Sequence, residues 1–192
     1  MSADTNIAPM IRRYSRRAQF LQTGLAAALG DHDGAASALA LLQNMGSGGE
    51  FPDLADEHAH LCAHARVLCA TALCDDDLHV RSVPLWDEVL DAIGEAGGSG
   101  ERADYLWITA ATAYGRFCAE TGRLTEAEPW LRRAQARAET NGWELAGARA
   151  QLERAAARWA AHDHAGTEQL VSEAYPAIAR AARAHDIARC WL

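Results

Sequence analysis

The stretch GRFCAETGRLTEAEPWLRRAQARAE, residues 115–139, constrains the fold more than any other part of the chain. Gly115, Gly122, Ala127 and Ala134 follow at intervals of seven, five and seven. Seven residues are two helical turns, so small side chains lie on one face of each of two helices. Backbones can approach closely at such points, with Phe117 and Leu131 filling the spaces between. The pattern predicts a helical hairpin with Gly115 and Gly122 on its first helix and Ala127 and Ala134 on its second.

The composition extends this expectation to the whole chain. Hydrophobic residues make up 49% of the 192, enough for a continuous core in one domain or a short repeat array. Alanine is abundant and no long Val/Ile/Thr run occurs, which favours closely packed helices over sheets. The spacing predicts hairpins at about 8–45, 54–97, 101–140 and 143–184, with the start of a further helix at 186–192. Pro84 is expected to open a helix, and Thr125 with Glu128 to form a capping box with Pro129 still in the first turn. Pro176 is expected to kink or end the last full helix.

Offsets of 40 residues support a repeat. ARAQL (148–152) recurs as ARCWL (188–192), and Ala134 is followed by Ala174. LGDHDGAASAL (29–39) echoes AHDHAGTEQL (161–170). The expected fold is an all-α, right-handed array of about four antiparallel hairpins in a single domain spanning 1–192.

Over residues 108–139 the pattern resembles the tetratricopeptide repeat, whose motif has small residues at these offsets. The longer period is similar to the helical sensor arrays of ATP-dependent bacterial regulators of the LuxR and maltose-activator type. It is also similar to the arrays of actinomycete antibiotic regulatory proteins. Neither the ATPase nor the DNA-binding module of those regulators is visible.

Several function classes are excluded or unsupported. All 18 basic residues are arginine, so a Walker-type phosphate loop and a Schiff-base lysine are absent. A net charge of −8 argues against nucleic acid as the main ligand. The chain opens without a signal-type apolar core, and no apolar run approaches the about eighteen residues of a membrane span. A cytoplasmic, bacterial protein with no membrane partner is expected. Five cysteines without a CxxC pair suit reduced, mostly buried thiols.

DEHAHLCAHARVLC is the richest run of potential donor side chains. His58, Cys62 and Cys69 share one helical face, and His60 and His64 form an i, i+4 pair on another. Zinc needs three or four converging donors, whereas Leu61, Ala65, Leu68 and Ala72 flank the cysteines as core neighbours would. No catalytic residue, metal site or cofactor is expected. CDDDLH (74–79) lacks the spacing and glycine of a calcium loop.

Binding is the expected function, through a concave face lined by the first helix of each hairpin. The expected contacts are Arg66, Thr109, Thr112, Arg116 and Arg149. Thr109, Thr112 and Arg116 stand where inner-groove residues of the resembled family usually lie, and Ala-Arg recurs at 65–66, 148–149 and 188–189. Arginine forks suit carboxylate or phosphate, so a protein or peptide partner, acidic in character, fits. The alternative for these arginines is pairing with acidic residues of a neighbouring helix. The alternative function is a small-molecule- or metal-binding auxiliary protein of a biosynthetic pathway, using helix 57–74.

The two ends add further expectations. In IRRYSRRAQFL, Arg12, Arg13, Arg16 and Arg17 predict a solvated face opposite a core stripe of Ile11, Tyr14, Ala18 and Leu21; a docking patch for an acidic partner is the alternative. The apolar C-terminus predicts a homodimer through the last helix or a longer parent chain.

Overall fold

The computed structural model describes the backbone of residues 7–45, 52–94 and 100–190, and side chains within 10–45, 56–94 and 100–181. Its elements are α1 (Ile7–Ala28), α2 (His32–Asn44), α3 (Pro52–Asp75), α4 (His79–Ile93), α5 (Glu101–Glu120), α6 (Leu124–Thr140), α7 (Glu144–Ala160) and α8 (His164–Cys190). No strand occurs among the described residues. The chain divides into two compact units, Met1–Ala96 and Gly97–Leu192. In the first, α1 packs on α2, α2 on α3 and α3 on α4, and α1 also touches α3. In the second, α5 to α8 repeat the scheme, with α5 touching α7. Consecutive antiparallel pairs whose first helices also meet are the packing of a helical repeat, and the fold is all-α as expected.

Five turns of one kind set this order. Gly30, Asp77, Gly122, Gly142 and His162 all have left-handed backbone, with φ between 59° and 79°. In the α5–α6 turn, Gly122 N–H donates to the Ala119 carbonyl (3.1 Å) and Arg123 N–H to that of Cys118 (2.7 Å). The same two bonds recur at the other four turns. This is the Schellman ending, which satisfies carbonyls the helix leaves open. In the second unit the turns fall at 122, 142 and 162, so each helix and its turn takes 20 residues and each hairpin 40.

Gly122 therefore has another role than the one its spacing predicts. It lies in the turn, not on α5, and an added Cβ would meet nothing within 4 Å; its φ of 79° is what requires glycine. Gly115 is the close-approach position. A Cβ there would stand 2.5 Å from Leu131 Cγ and 3.4 Å from the Ala127 carbonyl oxygen. Ala127, Leu131 and Ala134 are all fully buried.

The echo between residues 29–39 and 161–170 is a shared helix start. Asp31 accepts from Gly34 N–H (2.9 Å) and Asp163 from Gly166 N–H (3.0 Å), each capping a helix after a left-handed turn. The other echo is not structural. Residues 148–152 lie on α7, a first helix, whereas α8 continues unbroken through 188–190. No new helix starts at 186, Arg189 is not the equivalent of Arg149, and residues 191–192 lie outside the described residues.

The prolines and the expected capping box are also corrected. α4 and α6 start directly after their turns, so Pro84 and Pro129 are each the sixth residue of a helix, on its exposed side. There the lost N–H bond leaves a carbonyl that water can reach. α8 likewise runs on past exposed Pro176. The N-cap of α6 is Arg123, with no side-chain cap bond. Glu128 instead turns toward α7, accepting from Arg154 (2.8 Å) and, within α6, from Arg132 (3.2 Å).

In the first unit the core gathers Ala27, Ala35, Leu39, Leu42, Cys62, Ala65 and Cys69, with Phe20 and Leu61 against it. The face that α1 turns to this unit is the reverse of the expected one. Arg16 is buried, and Arg13 and Arg17 both pair with Glu57 of α3 (2.8 and 2.7 Å). Ile11, Tyr14, Ala18 and Leu21 face outward. Apolar periodicity marks a face that must be covered, but it does not say by what; here the Glu57 carboxylate selects the arginine side for α3.

Candidate partner-binding surface

α5 and α7 carry matching stripes in the second unit. On α5, Tyr105, Thr109, Thr112 and Arg116 fall within about 60° of one another by the helical period, and each is half-buried or exposed. Adding the hairpin repeat of 40 gives Leu145, Arg149, Leu152 and Ala156 on α7, also half-buried or exposed. Trp159 continues the α7 stripe. Leu145 and Trp159 are 48% and 60% exposed. Because α5 and α7 touch, the two stripes stand on neighbouring helices in the same register.

The other faces of these helices are occupied. Trp107 and Tyr114 of α5 meet Trp130 of α6 with ring centroids 6.1 and 5.5 Å apart. Arg133 covers the Trp130 ring at 4.4 Å and Arg137 the Trp107 ring at 5.0 Å. Arg137 also donates to Asp104 (2.7 Å). On α7, Arg154 is held by Gln135 (2.6 Å) and Glu128 (2.8 Å). Arg137 and Arg154 are thus tied to acidic residues of neighbouring helices.

The residues singled out from the sequence fare unequally. Thr109, Thr112 and Arg116 share the α5 stripe, and Arg149 stands beside them on α7, fully on the open side. Thr112 Oγ1 is buried without a hydrogen-bond partner. Arg116 is engaged by Glu120 one turn on (2.6 Å), an exposed pair of small energetic weight. Arg66 is in the first unit, where Glu88 of α4 holds its guanidinium at 2.5 Å. It is not brought together with the other four by packing within one unit. Tyr105, Leu145 and Leu152 join these stripes through the 40-residue register and Trp159 by continuing the period of α7; the sequence expectation does not include them.

Among the described residues, His58, His60, Cys62, His64 and Cys69 of α3 hold no converged set of donors. Cys62 Sγ lies 3.6 Å from His58 Nε2, and Cys69 belongs to the core. Burial pushes the Cys69 thiol up to about 11 and lowers the His58 pKa, aided by the nearby charge of Arg16. His60 and His64 meet edge-on with centroids 6.2 Å apart, and His64 also contacts Phe20. No group of three close donors among the described residues includes any of these five side chains. Cys62, Cys69, Cys74 and Cys118 are buried free thiols, as expected; the side chain of Cys190 lies outside the described residues. Asp76 of the acidic loop accepts from His32 (2.7 Å), so that loop ties two hairpins of one unit together. Among the described residues, no helix is long and apolar enough to cross a membrane.

Comparison with known proteins found no matching family, curated protein or solved structure.

Proposed function

We propose that this protein is a non-catalytic module that binds a protein or peptide partner, as an adaptor or as the sensor part of a bacterial regulatory system. The observation that carries this reading is the pair of open stripes on α5 and α7. Repeat folds of the tetratricopeptide kind bind along their first helices, and here those helices carry a mixed surface: Tyr105, Leu145 and Trp159 as apolar anchors, Tyr105 resting on Trp143 and Trp159 on His164, Thr109 as a small polar contact and Arg149 as the charged one. Exposed aromatic and arginine side chains are the residue types that dominate binding energy. An extended segment bearing a carboxylate beside one apolar residue matches this set, with the carboxylate on the fork of Arg149.

The test is a pull-down from the source organism with the wild-type chain and with Arg149→Glu/Trp159→Ala. Both side chains are exposed, so the variant should keep its helicity. A partner held by the wild type and lost by the variant supports the reading. A partner that the folded variant retains overturns the assigned surface.

A further inference from the structure

The two ends of the α1–α2 hairpin are held to α3 by different chemistry. At its open end α1 turns its arginine side to α3, where Arg13 and Arg17 share Glu57 (2.8 and 2.7 Å). Next along α3, buried His58 lies in the field of buried Arg16 and bonds the backbone of Gln43 near the end of α2. Cys62 Sγ stands 3.6 Å from the His58 ring and packs beneath Leu39, Leu42 and Ala27 of the hairpin. His64 meets Phe20 of α1, with ring centroids 5.3 Å apart, and His60 edge-on at 6.2 Å.

Few negative charges can answer a proton here. Glu57 already serves Arg13 and Arg17, Glu88 of α4 serves Arg66, and Asp56 is exposed. α2 has no charged side chain after Asp33 at its start. At the turn end, by contrast, His32 bonds Asp76 (2.7 Å) and Arg81 donates to Asp33 (3.1 Å). A protonated His32 still donates to Asp76, so mild acid does not loosen that end.

We propose that the α1–α2 hairpin is an acid-operated arm: protonation of His58 and His64 drives its open end away from α3, while its turn stays hinged at Asp76. Burial is the main cause that lowers the pKa of each ring from 6.5. Arg16 and Arg66 add to the lowering at His58, where the Gln43 bond opposes it, and His60 adds to it at His64. The closed arm refuses protons that the open arm binds, so its closure is fully stabilised above 6.5 and weakens as pH falls toward the lowered values. Between pH 7.5 and 5.5 each histidine raises the open population by up to about tenfold. In the second unit the described histidines, His162 and His164, are exposed, which confines the response to the first. The arm is separate from the α5/α7 surface and does not depend on its role.

Cys62 reports the opening. The full chain is labelled at pH 7.5 and 5.5 with a pyridyl disulfide, which reacts with thiols in mild acid, and the labelled cysteines are located by peptide mapping. Each rate is referred to that of the urea-unfolded chain at the same pH. Labelling of Cys62 should accelerate by about five- to hundredfold at the lower pH, whereas Cys74 and Cys118, buried outside the arm, should not change. His58→Gln/His64→Gln should abolish the acceleration. His64→Gln alone, at a half-buried position, should reduce it and serves if the pair does not fold. Equal acceleration at Cys118 would mean general unfolding and overturns the proposal. So does a Cys62 rate that ignores pH, or an acceleration that the folded histidine variants keep in full.

Discussion

A methyl group on Gly115 would stand 2.5 Å from Cγ of Leu131, with the carbonyl oxygen of Ala127 behind it at 3.4 Å. Leu131 is fully buried, so it has no free volume into which to retreat. Gly115→Ala should destabilise the second unit by about 1–3 kcal/mol through overpacking, even though alanine favours a helix interior by about 1 kcal/mol. Chemical denaturation measures the difference. A variant as stable as the wild type would mean that α5 and α6 are farther apart than described.

The left-handed turns make the opposite prediction at two positions. Asp77 and His162 occupy the site that Gly30, Gly122 and Gly142 fill elsewhere, with φ of 59° and 62°. A side chain there costs about 1–2 kcal/mol in backbone strain. His162→Gly should therefore raise the thermal midpoint, by roughly 0.5–1 kcal/mol of stability once the extra freedom of glycine in the unfolded chain is counted. Gly142→Val, at the equivalent site, should lower it. Equal midpoints for the three proteins would count against the shared turn.

These two predictions show what was legible in the sequence and what was not. Helix number and pairing follow from apolar spacing and glycine breaks, and all eight helices were anticipated within a few residues except at α4 and the end of α8. Gly122 was misassigned because a small residue two turns from another looks the same whether it is needed for packing or for a positive φ. The repeat at 148–152 and 188–192 matched letters on helices of different rank, while the turn residues 122, 142 and 162 carried the true period. The stripe of α1 was recognised, but its direction depended on Glu57, forty residues away from Arg17, and no local pattern reveals such a partner. On the α5/α7 surface the arginine was visible from its motif. The exposed apolar residues beside it were not, because an exposed apolar side chain and a buried one differ only in context.

Acidification should weaken the fold beginning below about pH 6.5. Burial lowers the pKa of both His58 and His64 from the ordinary value of 6.5, with added repulsion from Arg16 and His60 respectively. The unfolded chain therefore binds protons that the folded chain refuses, and stability falls as pH drops from 6.5 toward the lowered values. At Glu57, burial alone would raise the pKa, but bonds and charges from Arg17 and Arg13 outweigh it and hold the carboxyl below 4.5. Its contribution persists above 4.5 and is lost only in stronger acid. Urea unfolding at pH 7.5 and 5.5 should show the loss in the wild type. His58→Gln/His64→Gln should flatten the profile over that interval, and an unchanged profile would remove the histidines as its cause.

Glu128 and Thr125 separate the two accounts of how α6 is held. As a capping box the pair would act together at the start of the helix, and loss of either would cost about 1 kcal/mol. In the structure Thr125 is exposed within the helix, and the N-cap has no side-chain bond. Glu128 is a junction instead. Arg154 reaches it from α7 at 2.8 Å, Arg132 joins within α6 at 3.2 Å, and Arg158 stands 3.8 Å away. Burial would raise the carboxyl pKa, yet the arginines outweigh it and hold it below the ordinary value. Thr125→Ala should thus be neutral to within about 0.5 kcal/mol. Glu128→Gln should cost about 1–2 kcal/mol, the weight of charge-assisted bonds at a partly buried site. The second loss should shrink in an Arg154→Met background, because Arg154 is the closest partner and the least exposed. A double-mutant cycle across 128 and 154 reads that coupling directly. Zero coupling, or a Thr125→Ala loss as large as that of Glu128→Gln, would restore the capping box and remove the junction.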